Sequence, residues 1–278
     1  MNKKGGLINI IIAYYPEREA LSGWALAVQQ GAPLRIWDNT PGGCRFKDEF
    51  PALVFQGKGV NLGVGPALRL LLNDLLEEGL WDKALYWDQD AQWTYATYQW
   101  ALALHRKFDN DLSANNKILL SLQAGADGET LPPGLVPTRL MMNNGMVLPV
   151  GQGASLLSSF TPYFMECTDY QICYRASLQK WTLVTAYGCP ELKHDPTQPS
   201  LVWSNGSKTY RKRIYPKGRS PQFLLNLAAL ALNALTRRNL PYLRIFLRNI
   251  LTHIAYRTWF NALWHLRPSG RRTPNTEL

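Results

Sequence analysis

A chain of 278 residues, 46% hydrophobic and 18% charged, is long enough to bury one large core, or a core with an appendage. Its net charge of +10 is unevenly placed: residues 200–278 carry 14 Lys and Arg against one acid, Glu277, whereas the first 199 carry 16 basic and 19 acidic residues. The four cysteines, Cys44, Cys167, Cys173 and Cys189, show no paired metal spacing and point to a reducing cytosol; no signal peptide is expected, because residues 1–6 lead straight into a strand-length apolar run.

That run, residues 7–14, predicts a parallel strand covered on both faces. Residues 15–19 then open a helix with Pro and acids in its first turn, and Leu21, Trp24, Ala25 and Val28 form its apolar stripe. A second strand, 34–37, ends in Asp38-Asn39-Thr40 and a Pro41-Gly42-Gly43 turn. A third, 52–55, precedes the loop from Gly59 to Gly65, and a helix follows over 66–80. The next strand is Lys83-Ala84-Leu85-Tyr86-Trp87-Asp88-Gln89-Asp90. This alternation is the rhythm of a nucleotide-binding α/β half-domain. The Gly- and Pro-rich stretch 127–137 reads as a loop between the two halves of the core.

Residues i and i+2 of a strand point to one side, so Asp88 and Asp90 are expected to aim oxygens at one point beyond the sheet. Two such carboxylates suit a hard cation, Mn²⁺ or Mg²⁺, that shares its ligands with phosphate. Taken alone, an Asp-x-Asp is more often a solvated turn after a strand.

The order of several segments gives the pair more weight. Ile12-Ala13-Tyr14-Tyr15-Pro16, Trp37-Asp38-Asn39, Asn61-Leu62-Gly63-Val64-Gly65-Pro66-Ala67, Trp87-Asp88-Gln89-Asp90, Asn144-Gly145-Met146 and the stretch from Phe164 to Arg175 follow one another in a familiar sequence. Over residues 7–235 the chain resembles family 2 glycosyltransferases of the GT-A fold, nearest to their bacterial rhamnosyltransferase-like branch. The resemblance implies a mixed, mostly parallel sheet between helices, with a C-terminal helical appendage. It divides the chain into a catalytic domain over 1–205 (a nucleotide-binding half at 7–92, an acceptor half at 93–205), an appendage at 206–266 and a disordered tail at 267–278.

The implied reaction is transfer with inversion from a nucleotide-diphosphate donor, dTDP-rhamnose or a UDP-hexose. The acceptor would be a hydroxyl of a lipid-linked or oligosaccharide chain in a growing surface polysaccharide. By the same resemblance, Asp169 is the base, with Glu166 a supporting carboxylate and second choice. Asp90 meets the metal, with His194 as a candidate second ligand. Asp38 would contact the base and Asp88 the ribose, with Tyr14, Tyr15, Asn61, Gly63, Gln89 and Arg219 as further donor contacts. A carboxylate suits the imide N–H of a pyrimidine because, when ionised, it only accepts hydrogen bonds. Two departures stand out: Gln171 and Leu225 replace an acid and an arginine usual in the family. Basic help at the diphosphate would then fall to Arg211, Lys212, Arg213 or Lys217.

The basic C-terminal region offers two further readings. Residues 223–232 form an apolar helix too short to span a bilayer, and a second helix from 242 to about 266 interleaves Arg244, Arg248 and Arg257 with Ile245, Phe246, Ile250, Leu251, Ile254, Trp259 and Trp264. Such a helix can lie on an anionic membrane surface, which implies a cytoplasmic protein held peripherally at the inner face. The same arginines can also face solvent on a helical pair packed against the core. Two alternatives stand beside the transferase: a nucleotide-sugar-binding protein without catalysis, and a nucleic-acid-binding protein built on the basic C-terminal region. The second is less favoured, and no nucleic-acid partner is expected, because the arginines alternate with bulky aliphatics rather than with stacking aromatics alone.

Overall fold

The structure, a computed structural model, describes residues 6–111, 117–123, 134–157, 167–194, 200–205, 208–213 and 219–266. The chain divides into two compact units, residues 1–214 and 215–278.

The first unit begins β1 (Leu7–Ala13), α1 (Arg18–Gln29), β2 (Leu34–Asp38), β3 (Phe55–Gln56), α2 (Val64–Glu78), β4 (Lys83–Trp87), β5 (Ala91–Gln92) and α3 (Tyr95–Asp111). It continues with β6 (Ile118–Gln123), β7 (Gly134–Thr138), β8 (Met146–Pro149), α4 (Val150–Leu157), α5 (Thr168–Leu178) and β9 (Thr182–Tyr187). Two short pieces, β10 (Lys193–His194) and the hairpin β11 (Ser200–Asn205) with β12 (Lys208–Arg213), complete it. Eight strands form one sheet in the order β3-β2-β1-β4-β8-β6-β9-β7. β8 runs antiparallel to β4 and β6, β7 runs antiparallel to β9, and the remaining pairs are parallel. The expected mixed, mostly parallel sheet with helices, and a C-terminal helical segment, is therefore present.

The apolar run of β1 is buried at every residue because both faces are covered. Leu7, Ile11, Leu85 and Trp87 pack with Leu21 and Trp24 of α1 and Tyr98 and Ala101 of α3. On the helix α2, Leu68, Leu71, Leu72 and Leu75 form a buried stripe at helical spacing, and α2 packs on β1, β2 and α4. One polar residue sits inside β1. Asn9 is fully buried, accepts from the Trp87 indole at 2.9 Å and donates to the Pro33 carbonyl at 3.0 Å, so its amide is satisfied on both sides.

Three expectations are corrected. The strand expected to run to Asp90 stops at Trp87, and residues 88–91 form a turn closed by the Ala91 N–H on the Asp88 carbonyl, 3.0 Å. The third strand is two residues long, Phe55–Gln56, rather than 52–55. Within the stretch read as a loop, Gly134–Thr138 is a strand, with Pro137 opposite Val184. It lies at the edge of the sheet, where a proline's missing N–H leaves no ladder bond unmade. Residues 127–133 lie outside the described residues.

In the second unit, α6 (Arg219–Thr236) and α7 (Leu240–Leu266) pack on each other. α7 opens two residues before the expected start, because Pro241 in a first turn forfeits no helical hydrogen bond.

Candidate active site

The carboxyl ends of β1, β2 and β4 are neighbours in the sheet, and the loops that leave them carry most of the expected site. Ligands of open α/β sheets bind at this edge.

At the end of β2, Asp38 is 7% exposed. One of its oxygens accepts the Thr40 N–H at 2.9 Å and the other accepts the Cys44 N–H at 2.5 Å. Asp38 thus folds the Pro41-Gly42-Gly43 turn around itself, and each carboxylate oxygen keeps a second lone pair for a ligand donor. Gly57 runs so close that a Cβ there would lie 2.5 Å from the Asp38 carbonyl oxygen. The backbone needs a glycine at that point.

Asn39, whose role sequence reading missed, ties the next loop to β2. Its amide donates to the Gly63 carbonyl at 3.1 Å and accepts the Leu62 N–H at 3.2 Å, while its own N–H reaches the Ala13 carbonyl at 2.8 Å. The residue is buried, so these bonds are made away from water. Asn61 bonds the Gly63 N–H at 2.9 Å, and Gly63, at φ +81°, precedes α2. Both expected donor contacts, Asn61 and Gly63, therefore sit in one loop held from beneath by Asn39.

At the end of β1, Tyr14 and Tyr15 are 45% and 58% exposed, with ring centroids 4.6 Å apart, edge to face. Tyr15 has φ +46°, a strained region for an aromatic residue. Its N–H donates to the Thr40 hydroxyl at 2.9 Å.

The acidic turn is built around Tyr86. This tyrosine is 2% exposed, and its phenol lies in the field of Asp88, Asp90 and Asp169. Burial first, then these three carboxylates, push the phenol's pKa well above 10.0, so it stays a donor. Asn144, in the turn before β8, accepts the Asp88 N–H at 3.2 Å. Gly145, at φ +76°, donates to the Tyr86 carbonyl and accepts from the Leu122 N–H, both at 2.8 Å. Asp169 lies in the first turn of α5, and its carboxylate accepts the Tyr170 N–H at 2.9 Å. Below it in the helix, burial pushes the Cys173 thiol up to about 12, and its sulfur accepts the Met141 N–H at 3.3 Å.

The structure thus sets the Asp88–Asp90 turn, Asp38, Tyr14 and Tyr15 on adjacent strand ends, and the charges of Asp88, Asp90 and Asp169 all act on the buried Tyr86 phenol. Asp88 and Asp90 lie in a turn rather than on the pleat of a strand. His194 pairs in register with Ala91, which places its backbone beside Asp90. Glu166 and Lys217 lie outside the described residues, and α5 starts only at Thr168. Arg219 opens α6 in the second unit. Sequence reading gave no role to Tyr86, two residues before Asp88, and none to Asn144 beyond its place in the Asn144-Gly145-Met146 segment.

Among the described residues, no group of three or more His, Cys, Asp or Glu side chains is placed to hold a metal unaided. The oxygen donors Asp88 and Asp90 fit a hard cation that takes one or two carboxylates and completes its shell with phosphate and water.

No protein-family model matches the chain, and no curated protein matches it. Among solved structures, residues 1–349 of TarS from S. aureus share 13% identity at a TM-score of 0.45, covering 82% of this chain and 65% of that one. A mannose-1-phosphate geranyltransferase from Thermus thermophilus shares 10% identity at a TM-score of 0.44, covering 83% and 99%. GalNAc-T7, solved with UDP, GalNAc and Mn²⁺, shares 9% at 0.46, covering 69% and 44%. The chain therefore spans less than two thirds of the TarS fragment and under half of GalNAc-T7.

Proposed function

We propose that the chain is an inverting glycosyltransferase of the GT-A type that moves a sugar from a nucleotide-diphosphate donor to a hydroxyl of a growing bacterial surface polysaccharide. The observation that carries this reading is the placement of Asp38 and the Asp88–Asp90 turn at the neighbouring carboxyl ends of β2 and β4, with Asp169 in the first turn of α5. The strand-end acids serve the donor and Asp169, on another element, serves the acceptor.

In this reading Asp38 accepts from the pyrimidine base of dTDP-rhamnose or a UDP-hexose, Asp88 accepts from the ribose, and the Asn61–Gly63 loop lies under the nucleotide. Asp90 and His194 would hold Mn²⁺ or Mg²⁺, which when bound offsets the charge that gathers on the departing diphosphate. Asp169 takes the proton of the acceptor hydroxyl as its oxygen bonds the anomeric carbon and the bond from that carbon to the diphosphate breaks. Glu166 supports the acceptor.

The second unit is read as the membrane-facing part of a peripheral protein at the inner face of the cell membrane. No helix among the described residues is long and apolar enough to cross a bilayer. On α6, Leu225, Leu232 and Leu235 are exposed along one side, opposite the buried Phe223, Leu227 and Leu230. On α7, Leu240, Leu247, Leu251 and Ile254 are exposed on the helix that carries Arg244 and Arg248, whereas Phe246 is fully buried. Residues 219–266 contain six arginines and no acid. Exposed aliphatics in a basic segment suit anionic lipid, where a lipid-linked acceptor would be met.

The test is calorimetric titration of UDP and dTDP into the full chain, with and without Mn²⁺, alongside Asp90→Ala. Micromolar binding that requires both the metal and Asp90 supports the reading. Absence of binding to either nucleotide under every condition overturns it.

A further inference from the structure

The middle residue of the acidic turn makes a contact that the reaction as read above leaves unused. Gln89 accepts the Tyr14 N–H at 2.6 Å through its carbonyl, and its amide nitrogen donates to the Tyr14 carbonyl at 3.2 Å. A neighbouring strand makes this two-point bond to a residue at its side. Here the strand is missing. β4 follows β1 only as far as Ile11 opposite Trp87, then turns away into the acidic loop. Gln89's side chain reaches back and supplies, for Tyr14, the partner that β4's backbone no longer provides.

The residue so clasped belongs to a corner that is unusually constrained. Next to it, Tyr15 is held at φ +46° by the hydroxyl of the buried Thr40. Backbone in that region persists only where its surroundings over-determine it. Three hydrogen bonds, from two different strand ends, therefore fix two tyrosines whose rings stay largely in solvent. Core packing does not account for an arrangement that holds aromatic rings outside the core. A ligand lying against them does.

We propose that Gln89 is a positioning residue: it couples the Asp88–Asp90 turn to the Tyr14–Tyr15 corner, so that the carboxylates and the two rings present themselves to one ligand as a single rigid unit. The ligand is the nucleoside diphosphate part of the donor, and the proposal rests on the transferase reading in that respect. Gln89 acts through the Tyr14 backbone, rather than as the direct donor contact that the resemblance implies.

The clasp and its consequence are measured on the full chain. Gln89→Ala is expected to weaken UDP or dTDP binding, in the presence of Mn²⁺, about ten-fold, near 1.4 kcal/mol on the affinity scale. It is also expected to speed hydrogen exchange at the Tyr14 amide. Gln89→Glu keeps the acceptor but loses the donor at neutral pH, and its loss should fall between the two. The deciding comparison is a double-mutant cycle with Tyr14→Ala/Tyr15→Ala. If Gln89 acts through the corner, adding Gln89→Ala to the ring-deleted protein costs no further affinity. Fully additive losses, or an unchanged Tyr14 amide in Gln89→Ala, overturn the proposal and leave the transferase reading standing. Failure of the unaltered chain to bind either nucleotide overturns both.

Discussion

The phenol of Tyr86, buried within the sheet, lies in the field of the Asp88 carboxylate two residues on, at the point where β4 ends and the acidic turn begins. It is a neutral hydroxyl that feels three acids. Tyr86→Phe keeps the ring and its packing but removes that hydroxyl from beside the acidic turn. Expected are a stability loss of about 1–2 kcal/mol in urea unfolding and weaker nucleotide binding. A variant equal to the unaltered protein in both measurements would show that Asp88 is oriented by Asn144 and the turn alone.

Asp169→Asn should abolish transfer while leaving nucleotide affinity within about two-fold, because the base acts on the acceptor and not on the donor. Equal loss of transfer and of donor binding would remove Asp169 from the role of base.

Asn39 offers a contrast between two substitutions. Asn39→Ala leaves the Leu62 N–H and the Gly63 carbonyl without their buried partner and should cost about 1–3 kcal/mol, along with donor affinity. Asn39→Asp retains the acceptor for Leu62 but sets a carboxylate against the Gly63 carbonyl. Its loss should be of similar size and should ease as acid neutralises the new group. Thermal unfolding across mildly acidic pH reads this directly.

Stability should decline as the solution becomes alkaline. Burial holds the phenols of Tyr86 and Tyr98 above 10.0 and pushes the thiols of Cys173 and Cys189 from 9.0 up to about 12. In the unfolded chain these groups lose their protons at the ordinary values, so the unfolded state binds fewer protons at high pH. Their contribution is complete below about pH 9 and is lost as pH rises toward about 12. Denaturant midpoints that stay level from about pH 8 to about pH 11 would contradict these burial effects.

Mutating the outward aliphatics of the second unit tests the membrane reading. Leu232→Gln with Leu251→Gln removes two large exposed side chains and should lower binding to phosphatidylserine-containing vesicles about ten-fold or more, since each contributes about 1.5–3 kcal/mol when buried. Nucleotide binding should be untouched. Vesicle binding that vanishes with salt but ignores both substitutions would assign it to the arginines alone.

Much of this protein was legible in the sequence alone. The apolar run of residues 7–13, broken only by Asn9, fixed a doubly covered strand, the leucines at 68, 71, 72 and 75 fixed the face of α2, and Asp38 marked the end of β2. Side-chain period and turn chemistry are local, so they survive in one dimension. Other features were not local. Asp88 and Asp90 share a turn that redirects the chain after β4, and α5, far later in the sequence, brings the charge of Asp169 to bear on the same buried phenol. Asn39, Asn144 and Gln89 stand in the segments that carry the resemblance, but only the fold sets each against a backbone group far away in the chain, at separations of 23–24, 56 and 75 residues. A hydrogen bond is decided by a few ångströms and an angle, and those are set only when the sheet brings distant strand ends side by side.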